Sequence, residues 1–290
     1  MAHRPASTVT INACWLVAAC AGLLGCEGME IQPGADSVLQ IFAEPPAAQA
    51  AEWALDPYDA DKRYRGTMIL ANKPFAGEEL YLKLFIDNAA DEDAGVRAAA
   101  TRALGNHGGP EQAPVLLRSL QDSDKLVRLE GARALQRVHA RAAVDPLVRA
   151  SDVEHEPEPE IRAEAADALG QYAEARVLDA LQKCLTDSTL TVNYAALRSL
   201  RTLTGQDFGF DRVAWRQWIV KADDPFRARM AYVYPVFRRD KSLVEYVPFV
   251  PGPPNEPEGT TPAGLPGMEA PASGGTGDKT GVPADPKPGA

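Results

Sequence analysis

The stretch that decides the fold is Val127-Arg-Leu-Glu-Gly-Ala-Arg-Ala-Leu135. A β-branched residue opens it, small residues follow four and seven positions later, and a leucine closes it at the eighth. On an α-helix these positions lie on one face, because 3.6 residues complete each turn. The stretch therefore predicts an amphipathic helix whose small residues let a neighbouring helix approach closely.

Three other segments carry the same pattern: Val96–Leu104, Ile161–Leu169 and Val192–Leu200. With Val127 included, the four opening residues are spaced by 31, 34 and 31 positions. An acidic residue stands five positions before each opening residue, at Asp91, Asp122, Glu156 and Asp187. A carboxylate in this place is expected to cap or complement the N-terminus of its helix.

A shorter apolar helix is predicted ahead of each copy. The four candidates are Glu78–Asn88, Glu111–Leu120, Ala142–Arg149 and Arg176–Leu185. Helix pairs that recur every ~30 to 45 residues are typical of solenoids. We therefore predict an all-α fold: an α-solenoid of about four helical repeats over residues 77–221, with irregular capping segments and a disordered tail.

The pattern D-x(4)-[VI]-R-x(2)-[AG], ending in Ala-Leu as in Asp122 to Leu135, resembles the HEAT-like repeat. The resemblance is to the short bacterial version of the repeat, which is also found in phycobilisome lyase-type proteins, and it covers about residues 77–203. In that family the arginine after the opening residue pairs with an acid of its own or a neighbouring repeat. The resemblance thus implies a structural role for Arg97, Arg128 and Arg162. Asn193 replaces this arginine in the fourth copy.

The resemblance also implies that the second helix of each pair lines a concave face where protein partners bind. Residues two and six positions after each opening residue are expected to lie outside the apolar stripe. The candidate binding residues are Arg102, Leu129, Arg133, Tyr194, Leu197 and Arg198. Arginines flanked by apolar and aromatic side chains can hold an acidic or extended partner. The alternative is a solvated charged face without a partner.

The N-terminal 25 residues have the features of an export signal: a weakly basic start and an apolar stretch from Val9 to Leu24. The sequence Leu23-Leu-Gly-Cys26 resembles the lipobox of bacterial lipoproteins, which implies cleavage before Cys26 and lipidation of that residue. Cys20 offers a competing lipobox, and an ordinary secretory signal is the alternative.

Lipidation at Cys26 would place the chain in the bacterial cell envelope, facing the periplasm. Two or more acyl chains anchor stably, since each buried CH₂ contributes about 0.8 kcal/mol. Glu27 is not the aspartate that retains enterobacterial lipoproteins in the inner membrane, and it therefore favours the outer membrane. The acidic, proline-bearing residues 26–46 are interpreted as a tether.

The flanks of the repeats are expected to be irregular. Residues 47–76 are predicted to cap the first repeat, and residues 222–250 to form an extended apolar segment. Residues 251–290 hold 10 Pro and 9 Gly and are predicted to be disordered.

Two tryptophans follow the last repeat, in a segment similar to terminal segments of HEAT-repeat proteins from planctomycete-like bacteria. Trp215 and Trp218 are three residues apart and share a helix face. They are interpreted as a seal on the last repeat. Together with Tyr194 they also suggest an alternative function, binding of cell-wall glycans by stacking.

Composition and missing motifs narrow the function classes. Residues 1–25 hold one Arg and no acid, so removing them changes the net charge from −10 to −11, which argues against nucleic-acid binding. The sequence has no His, Cys or acidic residues at the spacing of zinc ligands, no phosphate-binding loop and no hydrolase motif. We therefore expect no metal, cofactor or catalytic residue. The leading hypothesis is a membrane-anchored, non-catalytic interaction scaffold, and a lyase-type enzyme is a further alternative.

Overall fold

The chain is built from α-helices packed in sequential pairs. A computed structural model describes residues 45–234 and 261–265, and its eleven α-helices all lie in the compact unit that begins at Pro46. The helices are α1 Ala47–Ala54, α2 Ala60–Ala71, α3 Glu79–Asn88, α4 Ala94–His107, α5 Ala113–Ser119, α6 Lys125–Arg137, α7 Val144–Ala150, α8 Pro159–Leu169, α9 Ala175–Cys184, α10 Leu190–Thr204 and α11 Arg212–Lys221. Short 3₁₀ turns, Pro110–Gln112 and Arg141–Ala143, lead into α5 and α7.

Helices α1 to α10 form five pairs, each with a first helix (A helix) and a second helix (B helix). The A helices are α1, α3, α5, α7 and α9, and the B helices are α2, α4, α6, α8 and α10. Each B helix packs on the A helix of its pair and on the B helix of the next pair. This confirms the predicted all-α solenoid, and none of its described helices is long and apolar enough to cross a membrane.

The first pair lies within residues 47–76, the segment predicted to be a cap. Helix α2 repeats the pattern of the later B helices, with Arg63, Gly66 and Leu70 in the places of the arginine, the small residue and the leucine. All three are buried. The sequence analysis did not include this copy because Lys62, rather than a β-branched residue, opens it.

Small residues bring the two helices of a pair into close contact. A Cβ atom added to Gly131 would lie 2.6 Å from the backbone nitrogen of Leu120, and one added to Gly66 would overlap the backbone of α1. Neighbouring B helices also approach closely, since a Cβ on Gly105 would lie 2.6 Å from the Cβ of Ala134. The close approach predicted from the small positions is confirmed.

The core runs continuously through the repeats. The leucines eight positions after each opening residue, Leu104, Leu135, Leu169 and Leu200, are completely or almost completely buried. The fifth position is also buried in every copy, by Thr101, Ala132, Ala166 and Leu197. Leu197 is only 3% exposed. Its prediction as a binding residue is therefore wrong, because its side chain fills the core.

Helix α11 closes the array against α9. Gly205 ends α10 with a φ of 67°, and the Asp211 side chain accepts the backbone N–H groups of Val213 and Ala214 at the start of α11. Trp215 is fully buried, donates its Nε1–H to the Gly209 carbonyl at 2.8 Å, and meets Phe208 edge to face. Burial removes Trp215 from the predicted glycan-stacking rings, whereas Trp218 is half-buried and Tyr194 is exposed.

Part of the segment predicted to be disordered is ordered. Ala263 forms a parallel β-bridge with Val138: its N–H donates to the Arg137 carbonyl at 2.7 Å, and its carbonyl accepts the His139 N–H at 2.8 Å. Arg137 ends α6, so its carbonyl lacks a partner within the helix. Residues 261–265 supply one, which corrects that part of the prediction. Cys26, the export signal, the tether up to residue 44 and residues 235–250 of the predicted apolar segment lie outside the described residues.

We expect the Gly131→Ala variant to lower the free energy of unfolding by about 1 to 3 kcal/mol, the usual cost of overpacking. The added methyl meets backbone atoms that cannot move aside, so the clash exceeds the gain of roughly 1 kcal/mol that alanine brings to a helix interior. Urea unfolding measures the effect. Gly77→Ala is the matched control, since its Cβ would have no neighbour closer than 3.8 Å. Unchanged or raised stability of Gly131→Ala would contradict the close packing.

Candidate interaction face

The second and sixth positions after each opening residue define one side of the B helices, named here the B-helix face. It carries Tyr64 and Met68 in α2, Ala98 and Arg102 in α4, Leu129 and Arg133 in α6, Ala163 and Asp167 in α8, and Tyr194 and Arg198 in α10. Of the predicted binding residues, Arg102, Tyr194 and Arg198 are exposed on this face, whereas Leu129 and Arg133 are half-buried.

A cavity of about 210 Å³ lies between α4 and α6 on this face. Its polar lining residues are Arg102, Asn106, Glu130, Arg133 and Arg137. Arg133 donates to Glu130 at 3.0 Å and to Glu164 of the next B helix at 3.1 Å. The structure therefore places Arg102 and Arg133 at the same cavity, but it holds Arg133 in an ion pair between repeats.

A second cavity, of about 380 Å³, lies between α8 and α10. Tyr194 lines it with 52% of its surface exposed, and its ring meets Phe210 edge to face at 5.2 Å. Arg198 reaches across the cavity and pairs with the Asp167 carboxylate through both Nε and Nη2. This end of the face thus combines an aromatic ring with a bidentate ion pair.

Asp167 departs from its expected environment. The sequence analysis places it outside the apolar stripe, yet only 6% of it is exposed. Burial raises its pKa to about 6, against the opposing hydrogen bond and charge of Arg198. Tyr232, from the segment after α11, lies within electrostatic range of Asp167 and is itself buried. The sequence analysis did not place Tyr232 near Asp167, although the run Tyr-Val-Tyr-Pro from Tyr232 is apolar enough to indicate burial.

A second set of charged residues joins consecutive repeats at their loops and is named here the arginine ladder. Nε and Nη2 of Arg97 donate to the two carboxylate oxygens of Asp122 in the next repeat, each at 2.9 Å. Its Nη1 donates to the backbone carbonyls of Asp91 and Glu92 in its own repeat. Equivalent pairs join Arg63 to Asp91, Arg128 to Glu156 and Arg162 to Asp187.

The acids of the ladder act in the loops rather than as helix caps. Asp122 accepts the Asp124 backbone N–H at 2.8 Å, and it is Asp124 that caps α6. Burial alone would raise the pKa of Asp122, but the hydrogen bonds from Arg97 and from the Asp124 backbone hold it below its usual value. The expected capping role therefore belongs to the acid two residues later in α4 and α6, Asp93 and Asp124, whereas α8 and α10 have no side-chain cap at that position.

The ladder ends where the sequence departs from the pattern. Asn193 donates to the backbone carbonyls of Cys184 and Asp187, which are contacts within its own repeat. An arginine at position 193 would have no acid of a following repeat to pair with, because α10 is followed by α11 rather than by another helix pair. The role implied for Arg97, Arg128 and Arg162 agrees with this geometry, since all three bind the loops of their own and the following repeat.

We expect Arg162→Ala to lower the free energy of unfolding at pH 7 by about 3 kcal/mol or more, because it leaves the buried Asp187 carboxylate without its ion-pair partner. Arg162 and the loop hydrogen bonds outweigh burial and hold the pKa of Asp187 below its usual value. Stabilisation from the pair is thus present at neutral pH and lost as pH falls through that lowered pKa. The cost of the substitution should therefore shrink on acidification.

Arg176→Ala is the control, because its pairs with Glu174 and Asp145 are largely exposed and should contribute less than about 1 kcal/mol. Urea unfolding of both variants between pH 7 and pH 3 gives the comparison. Equal costs for the two substitutions at pH 7 would contradict a structural ladder.

The part of the chain that the structure describes shows no cluster of metal ligands and no reactive thiol. Within residues 45–234 and 261–265, no cluster of three or more His, Cys, Asp or Glu side chains is placed to hold a metal ion. Cys184 is buried and donates its S–H to the Ser151 carbonyl at 3.4 Å. Burial raises the pKa of this thiol to about 11, so it stays protonated at neutral pH.

The packing of sequential helix pairs defines an α-solenoid repeat protein. A family model described as HEAT repeats matches residues 47–130, 82–158 and 118–201, which together span more than half of the chain. The chain therefore belongs to the HEAT-repeat family, and the match includes the first helix pair.

Individual relatives are more distant. Deoxyhypusine hydroxylase of Gallus gallus is 31% identical over 121 residues, which are 42% of this chain and 40% of that protein. The matched region thus spans about two fifths of the length of that relative. Among solved structures, the CpcE–CpcF complex of phycocyanin lyase from Nostoc sp. PCC7120 is 22% identical, with a TM-score of 0.48 over 67% of this chain and 74% of that one. A computationally designed armadillo repeat protein for modular peptide recognition is 17% identical, with a TM-score of 0.42 over 57% and 84% of the two chains.

Proposed function

We propose that this protein is a bacterial lipoprotein whose HEAT array is a non-catalytic scaffold for a protein partner. Cys26 carries the lipid anchor, and the array faces the periplasm from the outer membrane. The observation that carries the scaffold proposal is the B-helix face, where an exposed tyrosine and arginines line cavities between rigidly packed helices. The lipobox-like sequence supports the anchor.

The chemistry of the face favours a protein over a small substrate. Its charged groups are committed to one another, as in the pairs of Arg133 with Glu164 and of Arg198 with Asp167, rather than converging on one vacant point. Tyr194 supplies amphipathic contact area of the kind that is enriched where interfaces are strongest. Because the B helices are already ordered, binding costs little conformational entropy on this side.

The test combines the anchor and the face in one cell-based experiment. Tyr194→p-benzoylphenylalanine places a photocrosslinker on the B-helix face. The matched control is Tyr58→p-benzoylphenylalanine, since Tyr58 is 95% exposed in the loop before α2 and lies off the face. We expect a discrete crosslinked protein from position 194 in the membrane fraction and none from position 58. Adducts of equal yield from both positions would contradict the scaffold proposal.

Intact mass spectrometry of the same protein tests the anchor. We expect an acylated chain that begins at Cys26, and we expect Cys26→Ser to abolish acylation and release the protein from the membrane fraction. Cys20→Ser should leave both properties unchanged. An unacylated wild-type chain, or acylation lost only in Cys20→Ser, would contradict the proposed anchor while leaving the crosslinking result interpretable.

A further inference from the structure

A segment of the chain itself lies across one end of the B-helix face. Residues Met230–Tyr234, named here the crossing segment, follow α11 and contact three successive B helices. The Met230 N–H donates to the Thr202 carbonyl of α10 at 2.7 Å. Tyr232 is buried next to Asp167 of α8 and Arg198 of α10. The guanidinium of Arg137, at the end of α6, lies 5.4 Å from the centre of the Tyr234 ring.

Buried and exposed side chains alternate along the crossing segment, as they do in an extended peptide. Tyr232 is 93% buried and Tyr234 contacts Arg137, whereas Val233 between them is 40% exposed. Alternate side chains point to opposite sides of an extended backbone. The two tyrosines therefore face the helices and the valine faces away, so this end of the face accommodates an extended chain with an aromatic side chain at every second residue.

The crossing segment does not satisfy all of its polar groups on the B-helix face. The Tyr232 hydroxyl is buried, and no group in the described residues forms a hydrogen bond with it. A buried hydroxyl without a partner costs free energy that the same ring without the hydroxyl would not. In the described residues the Met230 hydrogen bond and the Arg137–Tyr234 contact help to hold the segment, and the cost of the buried Tyr232 hydroxyl weakens that attachment. Beside Met230, a cavity of about 360 Å³ lined by Tyr194, Arg198, Arg201 and Thr202 leaves further space on the face.

We propose that the α8–α10 end of the B-helix face is a groove for an extended, aromatic-bearing segment of a protein partner, and that residues 230–234 occupy it until the partner displaces them. This inference rests on the proposed scaffold function. It specifies the kind of partner that the face binds and how access to the face is regulated. The site of Tyr232 prefers phenylalanine to tyrosine, because phenylalanine fills the same space without burying an unpaired hydroxyl. The crossing segment is thus a self-ligand of intermediate strength that keeps the face covered.

The probe is a fluorescent synthetic peptide with the chain's own residues 226–236, in the natural form and with Tyr232→Phe. Each peptide is titrated into the full-length protein. The Tyr232→Ala protein loses the buried ring and should bind the peptides about tenfold more tightly than the wild type, since a population shift of ~1.4 kcal/mol changes affinity tenfold. The Tyr232→Phe protein holds its own segment more firmly and should bind them about fivefold to tenfold more weakly.

Two comparisons make the result specific to the crossing segment. Val233→Ala changes a side chain that faces away and should bind the peptides as the wild type does. The phenylalanine peptide should bind every protein more tightly than the tyrosine peptide. Hydrogen exchange of the Met230 amide reports the segment directly: it should be faster in Tyr232→Ala and slower in Tyr232→Phe than in the wild type.

Several outcomes would overturn the inference. Equal peptide affinity in the wild type, Tyr232→Ala and Tyr232→Phe would show that the segment does not compete. Absence of peptide binding to Tyr232→Ala, despite rapid exchange at Met230, would show that the face is not a peptide groove. If Tyr232→Ala loses its helical circular dichroism, the Tyr232→Phe result decides alone. Neither acylation of Cys26 nor crosslinking at position 194 depends on these measurements, so failure here is distinguishable from failure of the proposed function.

Discussion

The bidentate ion pair between the arginine of one repeat and the acid of the next is the constraint on which the rest of the structure depends. Each ladder arginine spans two loops, with Nε and Nη2 on the following acid and Nη1 on carbonyls of its own repeat, as Arg128 does with Glu156 and Asp122. Charges removed from water are costly unless they are fully paired. A repeat docked at another angle would leave several such groups unpaired, so the ladder selects one stacking geometry.

That stacking geometry determines the B-helix face. Close contacts between neighbouring B helices, such as Gly105 against Ala134, fix their separation, and the second and sixth positions of successive helices come into line. The cavities between α4 and α6 and between α8 and α10 follow from this spacing. A face that is ordered before binding loses little conformational entropy when it binds.

Much of this was predictable from the sequence, because the repeat pattern records burial directly. The period, the leucines and the small residues follow from four aligned copies, and the structural role of the arginines follows from the resemblance to the HEAT-like repeat. Leu197 was wrongly predicted to be an exposed binding residue because it was grouped with its polar neighbours in sequence. Alignment of the copies shows that Thr101, Ala132 and Ala166 share its position, and none of these residues is charged. The proximity of Asp167 to the buried Tyr232 could not be predicted, since the two residues are 65 positions apart and no local pattern specifies how the later segment docks.

A double-mutant cycle on Arg97 and Asp122 tests the central claim most directly. Free energies of unfolding are measured for the wild type, Arg97→Met, Asp122→Asn and the double variant at pH 7 and low ionic strength. The account predicts a coupling energy of about 1 to 3 kcal/mol, with the double variant less destabilised than the two single changes together, as for residues that share a buried polar network. Additive effects within about 0.5 kcal/mol would show that the pair does not hold the repeats in register.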